Sequence, residues 1–122
     1  KERPVREMKI KSAFSVEKQR SPIASIVSIS GFAWSGSANI SKVELSYDEG
    51  KTWFNADLEG PTSKYSWQQW SIDWTPPATG TYTFLSKATD SQGNQQPMEP
   101  IWLKMGYEIN SVVSRPLTLE IY

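Results

Sequence analysis

Six tryptophans are spread through this 122-residue chain, and three of them fall within the eight residues Trp67-Gln68-Gln69-Trp70-Ser71-Ile72-Asp73-Trp74. Indoles at that density serve one of two ends. Exposed and coplanar, they stack on sugars or bases; buried, each removes about 150–250 Å² from water and fills a core. Spacing separates the two uses in part, because residues two apart share a strand face. Trp70, Ile72 and Trp74 then lie on one face and Ser71, Asp73 and Thr75 on the other, which is how a core strand is built. Tyr65 and Trp67 have the opposite parity, so either a bulge near Gln68-Gln69 resets the register or Trp67 points outward. Trp34, Trp53 and Trp102, taken with Trp67, keep a sugar platform open as the rival use.

The groups that carry most acid–base and metal chemistry are absent. The chain has no cysteine, which removes disulfides, thiolate nucleophiles, zinc–thiolate sites and a thiolate ligand to a metal cofactor. It has no histidine either, the commonest general base near neutral pH. Carboxylates remain: Asp48 and Glu49 in one turn, and Asp90 at the head of Asp90-Ser91-Gln92-Gly93-Asn94. A calcium site at such a turn needs more oxygen ligands than the turn supplies. No G-x-x-x-x-G-K-[ST] phosphate loop occurs, and the many serines have no histidine to activate them. No catalytic, cofactor-binding or metal-binding residue is assigned within the chain.

Length bounds the rest. The chain is long enough for one domain and too short for two cores, so residues 1–122 are read as a single unit. No apolar run approaches the ~20 residues that span a bilayer, so a soluble chain is expected. There is no secretory apolar segment, so any targeting signal lies upstream of Lys1 or has been removed. The net charge is zero but uneven. Lys1, Arg3, Arg6, Lys9, Lys11, Lys18 and Arg20 outweigh Glu2, Glu7 and Glu17 in the first twenty residues. This basic leading arm is interleaved with Val5, Met8, Ile10 and Phe14, so it is expected to dock on an acidic neighbour or lie near an anionic ligand rather than bind nucleic acid.

Period-two alternation runs through the whole chain. Met8, Ile10, Ser12 and Phe14 mark a first strand, and Arg20-Ser21-Pro22-Ile23 is expected to break the chain. In the next strand Ile23, Val27 and Ile29 share one face, with Ile26, Phe32 and Trp34 on the other. Val43, Leu45 and Tyr47 alternate with Lys42, Glu44 and Ser46 ahead of a hairpin turn at Asp48-Glu49-Gly50-Lys51, where Gly50 is free to take positive φ. Trp53 and Phe54 open the return strand. Tyr82, Phe84, Ser86 and Ala88 share a face of a later strand, and extended pieces follow over 102–107 and 117–121. Strands at intervals of about ten residues, punctuated by Gly and Pro, indicate an all-β sandwich. Tyr82 sits two residues before Phe84 as a tyrosine corner sits before the second core cysteine of an immunoglobulin domain. A disulfide-free, immunoglobulin-like antiparallel sandwich of the E-set type is expected.

Ser46-Tyr47-Asp48-Glu49-Gly50-Lys51-Thr52-Trp53 resembles the Asp box of sialidase propellers, S-x-D-x-G-x-T-W. It occurs once, so a propeller is excluded by length and repeat count. Its physical content is a turn in which Asp48 bonds the turn amides and Trp53 packs beneath. Ser46, Asp48, Gly50, Trp53 and Tyr82 are accordingly read as structural.

Several stretches together resemble a specific family. They are Arg3–Ser12, Ile29–Leu58 (with G-x-A-x-S-G, then I-x-x-V-E-x-S-x-D-x-G-x-T-W-x-x-A-x-L), Tyr65–Trp70 (W-x-x-W), Gly80–Pro97 (G-x-Y, then A-x-D-x-x-G-N-x-Q-P), and finally Trp102 and Gly106–Asn110. In order and spacing they are similar to the C-terminal dimerisation domain of sulfite oxidase-type molybdenum oxidoreductases. The resemblance implies a non-catalytic assembly domain that pairs subunits as a homodimer and closes one side of a substrate cleft. It implies that molybdenum–molybdopterin is held by a cysteine of a separate catalytic domain, with none bound here, and it favours a periplasmic or extracytoplasmic setting without membrane or nucleic-acid partners. Sulfite, other sulfur species or nitrate are the substrates it implies. In some relatives an arginine before the late glycine reaches the anion pocket; here Met105 precedes Gly106, which cannot replace its charge-assisted hydrogen bonds. Trp34, Trp102 and Tyr107 fall outside the core alternation and are expected to face the partner. The alternative is a free-standing carbohydrate-binding or adhesin module using exposed tryptophans.

Overall fold

A computed structural model describes residues 10–35, 38–60, 67–96 and 116–122, together with the backbone pairing of 101–102 and 108–109. Its strands are β1 (Lys11–Phe14), β2 (Lys18–Ser21), β3 (Val27–Trp34), β4 (Ile40–Ser46), β5 (Phe54–Asn55), β6 (Asp57–Glu59), β7 (Gln68–Trp74), β8 (Gly80–Asp90), β9 (Ile101–Trp102), β10 (Glu108–Ile109) and β11 (Leu117–Ile121). One sheet runs β1-β3-β7-β6 and the other β2-β11-β8-β4-β5, while β9 and β10 pair with each other in a two-stranded sheet. All neighbours are antiparallel except β2 and β11, which run parallel. This is the A-B-E-D against C-F-G order of an immunoglobulin sandwich, with one extra edge strand at each side of the second sheet.

The alternation of β3 decides which face is core. Val27, Ile29, Gly31 and Ala33 are buried, while Ser28 and Phe32 are exposed and Ser30 and Trp34 are half-buried. Trp70 and Trp74 are buried on β7 and Ile72 is half-buried, so this part of the tryptophan cluster fills the core. The register from Val27↔Trp74 to Ala33↔Gln68 is unbroken, so no bulge intervenes and Trp67 points outward, 52% exposed.

One aromatic contact joins the two sheets and a second ties three strands of one sheet together. Phe84, fully buried where an immunoglobulin domain carries its second cysteine, meets Trp74 of the opposite sheet edge-on, with centroids 5.0 Å apart at 87°. Tyr82 meets Trp74 at 5.0 Å, and its hydroxyl donates to the Ala78 carbonyl at 2.8 Å, closing the corner into β8. The second contact spans three strands. Phe14 and Trp70 both pair with Gly31, from opposite sides, and their rings meet edge-on at 5.4 Å. A β-carbon on Gly31 would stand 2.1 Å from the Ala13 carbonyl oxygen and 2.4 Å from the Trp70 ring. The buried Trp70 Nε1 has no hydrogen-bond partner among the described residues. Leaving it unpaired costs about 1–3 kcal/mol. Burying roughly 150–250 Å² of indole at about 25 cal/mol per Å² returns roughly 4–6 kcal/mol, so burial wins.

The structure corrects two sequence expectations and bears out a third. The chain breaks within Arg20–Ile23 as expected, with β2 running through Ser21 and ending before Pro22. The steric rule that holds a pre-proline residue extended is compatible with a strand, and the Tyr122 amide bonds the Ser21 carbonyl at 3.1 Å. Ile23 does not share the core face of Val27 and Ile29. It lies in the turn before β3, 39% exposed. Ser46 is not on the solvated face with Lys42 and Glu44; it is fully buried, because its hydroxyl is taken up by the following turn. Met8 lies outside the described residues.

Two substitutions test this core. Trp70→Ala should destabilise by about 3–5 kcal/mol, the usual loss for a truncated core aromatic. Gly31→Ala would by itself stabilise by about 0.4–1 kcal/mol through the unfolded chain. The clash with a neighbouring backbone outweighs that, and a net loss of about 1–3 kcal/mol is expected. Urea unfolding measures both; a Gly31→Ala midpoint at or above the wild-type value would show that β1 shifts freely.

Candidate functional site

The outer face of the β1-β3-β7-β6 sheet gathers the exposed aromatics that the core does not use. Phe32 and Trp34 project there from β3, opposite the buried parity. Lys11 pairs with Trp34 across β1, and Trp67 precedes Gln68, which pairs with Ala33, so both arrive at the same corner. Lys11 Nζ lies 5.4 Å from the Trp34 ring centroid and 5.6 Å from that of Trp67. Phe32 meets Trp67 edge-on at 6.3 Å, and the two indoles stand 6.3 Å apart, tilted by 39°. Each cation–π contact at such an exposed site contributes about 0.5–1 kcal/mol. A flat sugar needs coplanar rings with free faces. Here the rings are tilted by 39° and an ammonium sits over both.

Of the three residues expected to face a partner, Trp34 lies in this corner, half-buried. The Trp102 side chain and Tyr107 lie outside the described residues, as do Met105, Gly106 and the arm before Ile10. Lys11, Phe32 and Trp67 join Trp34 without having been singled out as a group. The signal for Phe32 was its parity with Trp34, but the pairing that adds Lys11 and Trp67 is not local.

Of the residues read as structural, Ser46, Asp48, Gly50 and Trp53 form a closed hairpin turn between β4 and β5, while Tyr82 lies at the corner into β8. Glu49 and Gly50 take φ of 65° and 88°. Ser46 Oγ donates to Asp48 Oδ1 at 2.8 Å and accepts from the Gly50 amide at 2.9 Å. The Thr52 amide and hydroxyl donate to the two Asp48 oxygens at 2.9 and 2.5 Å, and Trp53 Nε1 donates to the Gly50 carbonyl at 3.0 Å. Lys87 Nζ covers the Trp53 ring at 4.3 Å. The Thr52 hydroxyl, then the Thr52 amide and Ser46, hold the Asp48 carboxyl down from 3.8 to about 2.

A second carboxylate is spent in the same way. Asp90 is buried, and burial alone would raise its pKa; the Asn94 backbone and side-chain donors, with Ser35 and the Gln92 amide, override that and lower it. Its Oδ1 accepts from the Gln92 and Asn94 amides at 3.0 Å each, and its Oδ2 from Ser35 Oγ at 3.0 Å. Beside it, the Ser12 hydroxyl donates to buried Gln96 Oε1 at 2.8 Å, the Ala88 amide donates to the same oxygen at 2.9 Å, and Ser86 lies 2.6 Å from Ser12. Among the described residues no group of three or more His, Cys, Asp and Glu is placed to hold a metal, and no helix is long and apolar enough to cross a membrane.

Comparison with known proteins agrees with this geometry. The family described as the Mo-co oxidoreductase dimerisation domain matches residues 2–116. The chain is 33% identical over 116 residues to the mitochondrial sulfite oxidase of Mus musculus, covering 88% of the chain and 21% of that protein. It is 36% identical over 84 residues to the sulfite oxidase of Gallus gallus, covering 62% of the chain and 18% of that protein. The crystal structure of the sulfane dehydrogenase SoxCD from Paracoccus pantotrophus superposes with a TM-score of 0.63 at 29% identity, covering 75% of this chain and 24% of that one. The chain thus spans about a fifth of the length of the curated relatives it matches.

The Asp48 turn makes stability depend on pH with a definite sign. The folded pKa lies below the ordinary value, so the contribution is fully present above pH 3.8 and is lost as the pH falls through about 2. Urea midpoints of the wild type should fall over that window. Asp48→Asn should start lower at pH 7 and fall less steeply; parallel curves would show that Asp48 does not carry the turn.

Proposed function

The chain belongs to the Mo-co oxidoreductase dimerisation domain family of sulfite oxidase-like proteins, and on that ground we propose that it is the non-catalytic assembly domain of a molybdenum-dependent oxidoreductase. It pairs subunits into a homodimer and closes one side of the substrate cleft. The observation that carries this reading is the family match over nearly the whole chain. The exposed cation–aromatic corner on an otherwise ordinary sandwich supports it.

The residues of this chain do not fit the molybdenum group. A thiolate ligand is impossible without cysteine, and the two carboxylates whose pKa values are lowered are consumed by turn amides and hydroxyls. No redox step is therefore assigned to it. The cofactor belongs to a catalytic domain of the same polypeptide. That domain oxidises a sulfur substrate, as the names of the sulfite oxidases and the sulfane dehydrogenase suggest for it. A periplasmic or other extracytoplasmic setting is part of the same proposal.

Two measurements test it. The coding sequence upstream of Lys1 should encode a domain carrying the cysteine that ligates molybdenum. The purified 122-residue chain, supplied with molybdopterin, should oxidise sulfite no faster than the blank. Cofactor-dependent turnover by the chain alone would overturn the assembly role.

A further inference from the structure

Building on the pairing role above, we propose that a second copy of this chain seats on the outer face of the β1-β3-β7-β6 sheet, related by a two-fold axis running along the strands. A two-fold interface must be complementary to itself, since each contact from residue i to residue j is repeated from j to i. This face has that property. Lys11 stands on the β1 edge, and exposed Asp57 and Glu59 stand on the β6 edge. The two edges are three strand spacings apart, roughly 14 Å.

An axis along the strands lays β1 of one copy over β6 of the other. Glu59 lies in the same row as Gln69, Phe32 and Ala13. That row is two residues from Lys11, roughly 7 Å along the strand. Each Lys11 then meets Glu59 of the other copy, twice per dimer. An axis across the strands lays β6 on β6 instead and sets Asp57 and Glu59 against the same carboxylates of the other copy. Like charges placed so are repelled, and the charge pattern selects the first orientation.

The remaining side chains suit close approach. Ala13, Ser28, Ser30 and Ser71 keep the middle of the face low, and Phe32, Trp34 and Trp67 supply the aromatic surface that interface cores favour. The Ser71 hydroxyl donates to the Glu59 carboxylate, holding it over the face.

The long Lys11 and Glu59 side chains span the offset between the two copies, so charge reversal tests the pair. Lys11→Glu and Glu59→Lys should each weaken the dimer several-fold by setting like charges against each other, and Lys11→Glu/Glu59→Lys should restore it, because the exchanged pair still meets across the axis. Trp67→Glu, a change at an exposed position, should keep a cooperative fold with a melting temperature lowered by only a few degrees, and should weaken the dimer seen in sedimentation at least tenfold. If the wild type pairs but the charge-reversed single variants pair as tightly, or the double variant does not recover, or Trp67→Glu pairs as tightly as the wild type, this face is wrong and the pairing role stands. If the wild type remains a monomer at millimolar concentration, both fall.

Discussion

Gly31 stands between the inward side chains of Phe14 and Trp70, and the sandwich depends on its having no side chain of its own. Three strands are held in register by two rings that meet across one empty position. The indole accepts an unpaired Nε1 to lie there, which is favourable because its buried area outweighs one missing hydrogen bond. The position of Trp70 fixes β7 against β3, and the unbroken register of that pair carries Trp67 out to the rim. Core constraint and exposed corner are two consequences of one strand pairing.

The same economy replaces the disulfide. Phe84 and Trp74 join the two sheets by an edge-on ring contact, and Tyr82 anchors the corner leading into β8. Where a covalent bridge would restrict the unfolded chain, aromatic packing stabilises the folded one directly. Asp48 and Asp90 act likewise: each carboxylate satisfies amides and hydroxyls that a tight turn would otherwise leave without partners. Their lowered pKa values report structural hydrogen bonds, and not chemistry awaiting a substrate.

Among the described residues the lowered-pKa carboxylates are taken up by turns and the core is filled by side chains of both sheets. What distinguishes the molecule is one sheet face with a cation and three aromatic rings at one edge and carboxylates at the other. The family is described as a dimerisation domain, and a surface of this composition is what interface cores favour.

The sequence by itself determined the class of fold and the buried parity of Val27, Ile29, Trp70, Trp74 and Phe84, because strand faces follow from a two-residue period. It also determined the Asp48 and Asp90 turns, whose amide hydrogen bonds from Thr52 and Asn94 span four residues each, and it excluded cysteine and histidine chemistry outright. It misplaced Ser46 and Ile23 and passed over β2, where local polarity and a proline pointed away from what distant strands impose. Only the tertiary structure decided that β2 lies parallel to β11, that Ser12 meets Gln96 across 84 positions of chain, and that Lys11, Phe32, Trp34 and Trp67 share a corner. Local rules act through backbone geometry over a few residues. Which distant strands become neighbours is settled by the packing of the whole chain, and a surface assembled from β1, β3 and β7 exists only once that packing is complete.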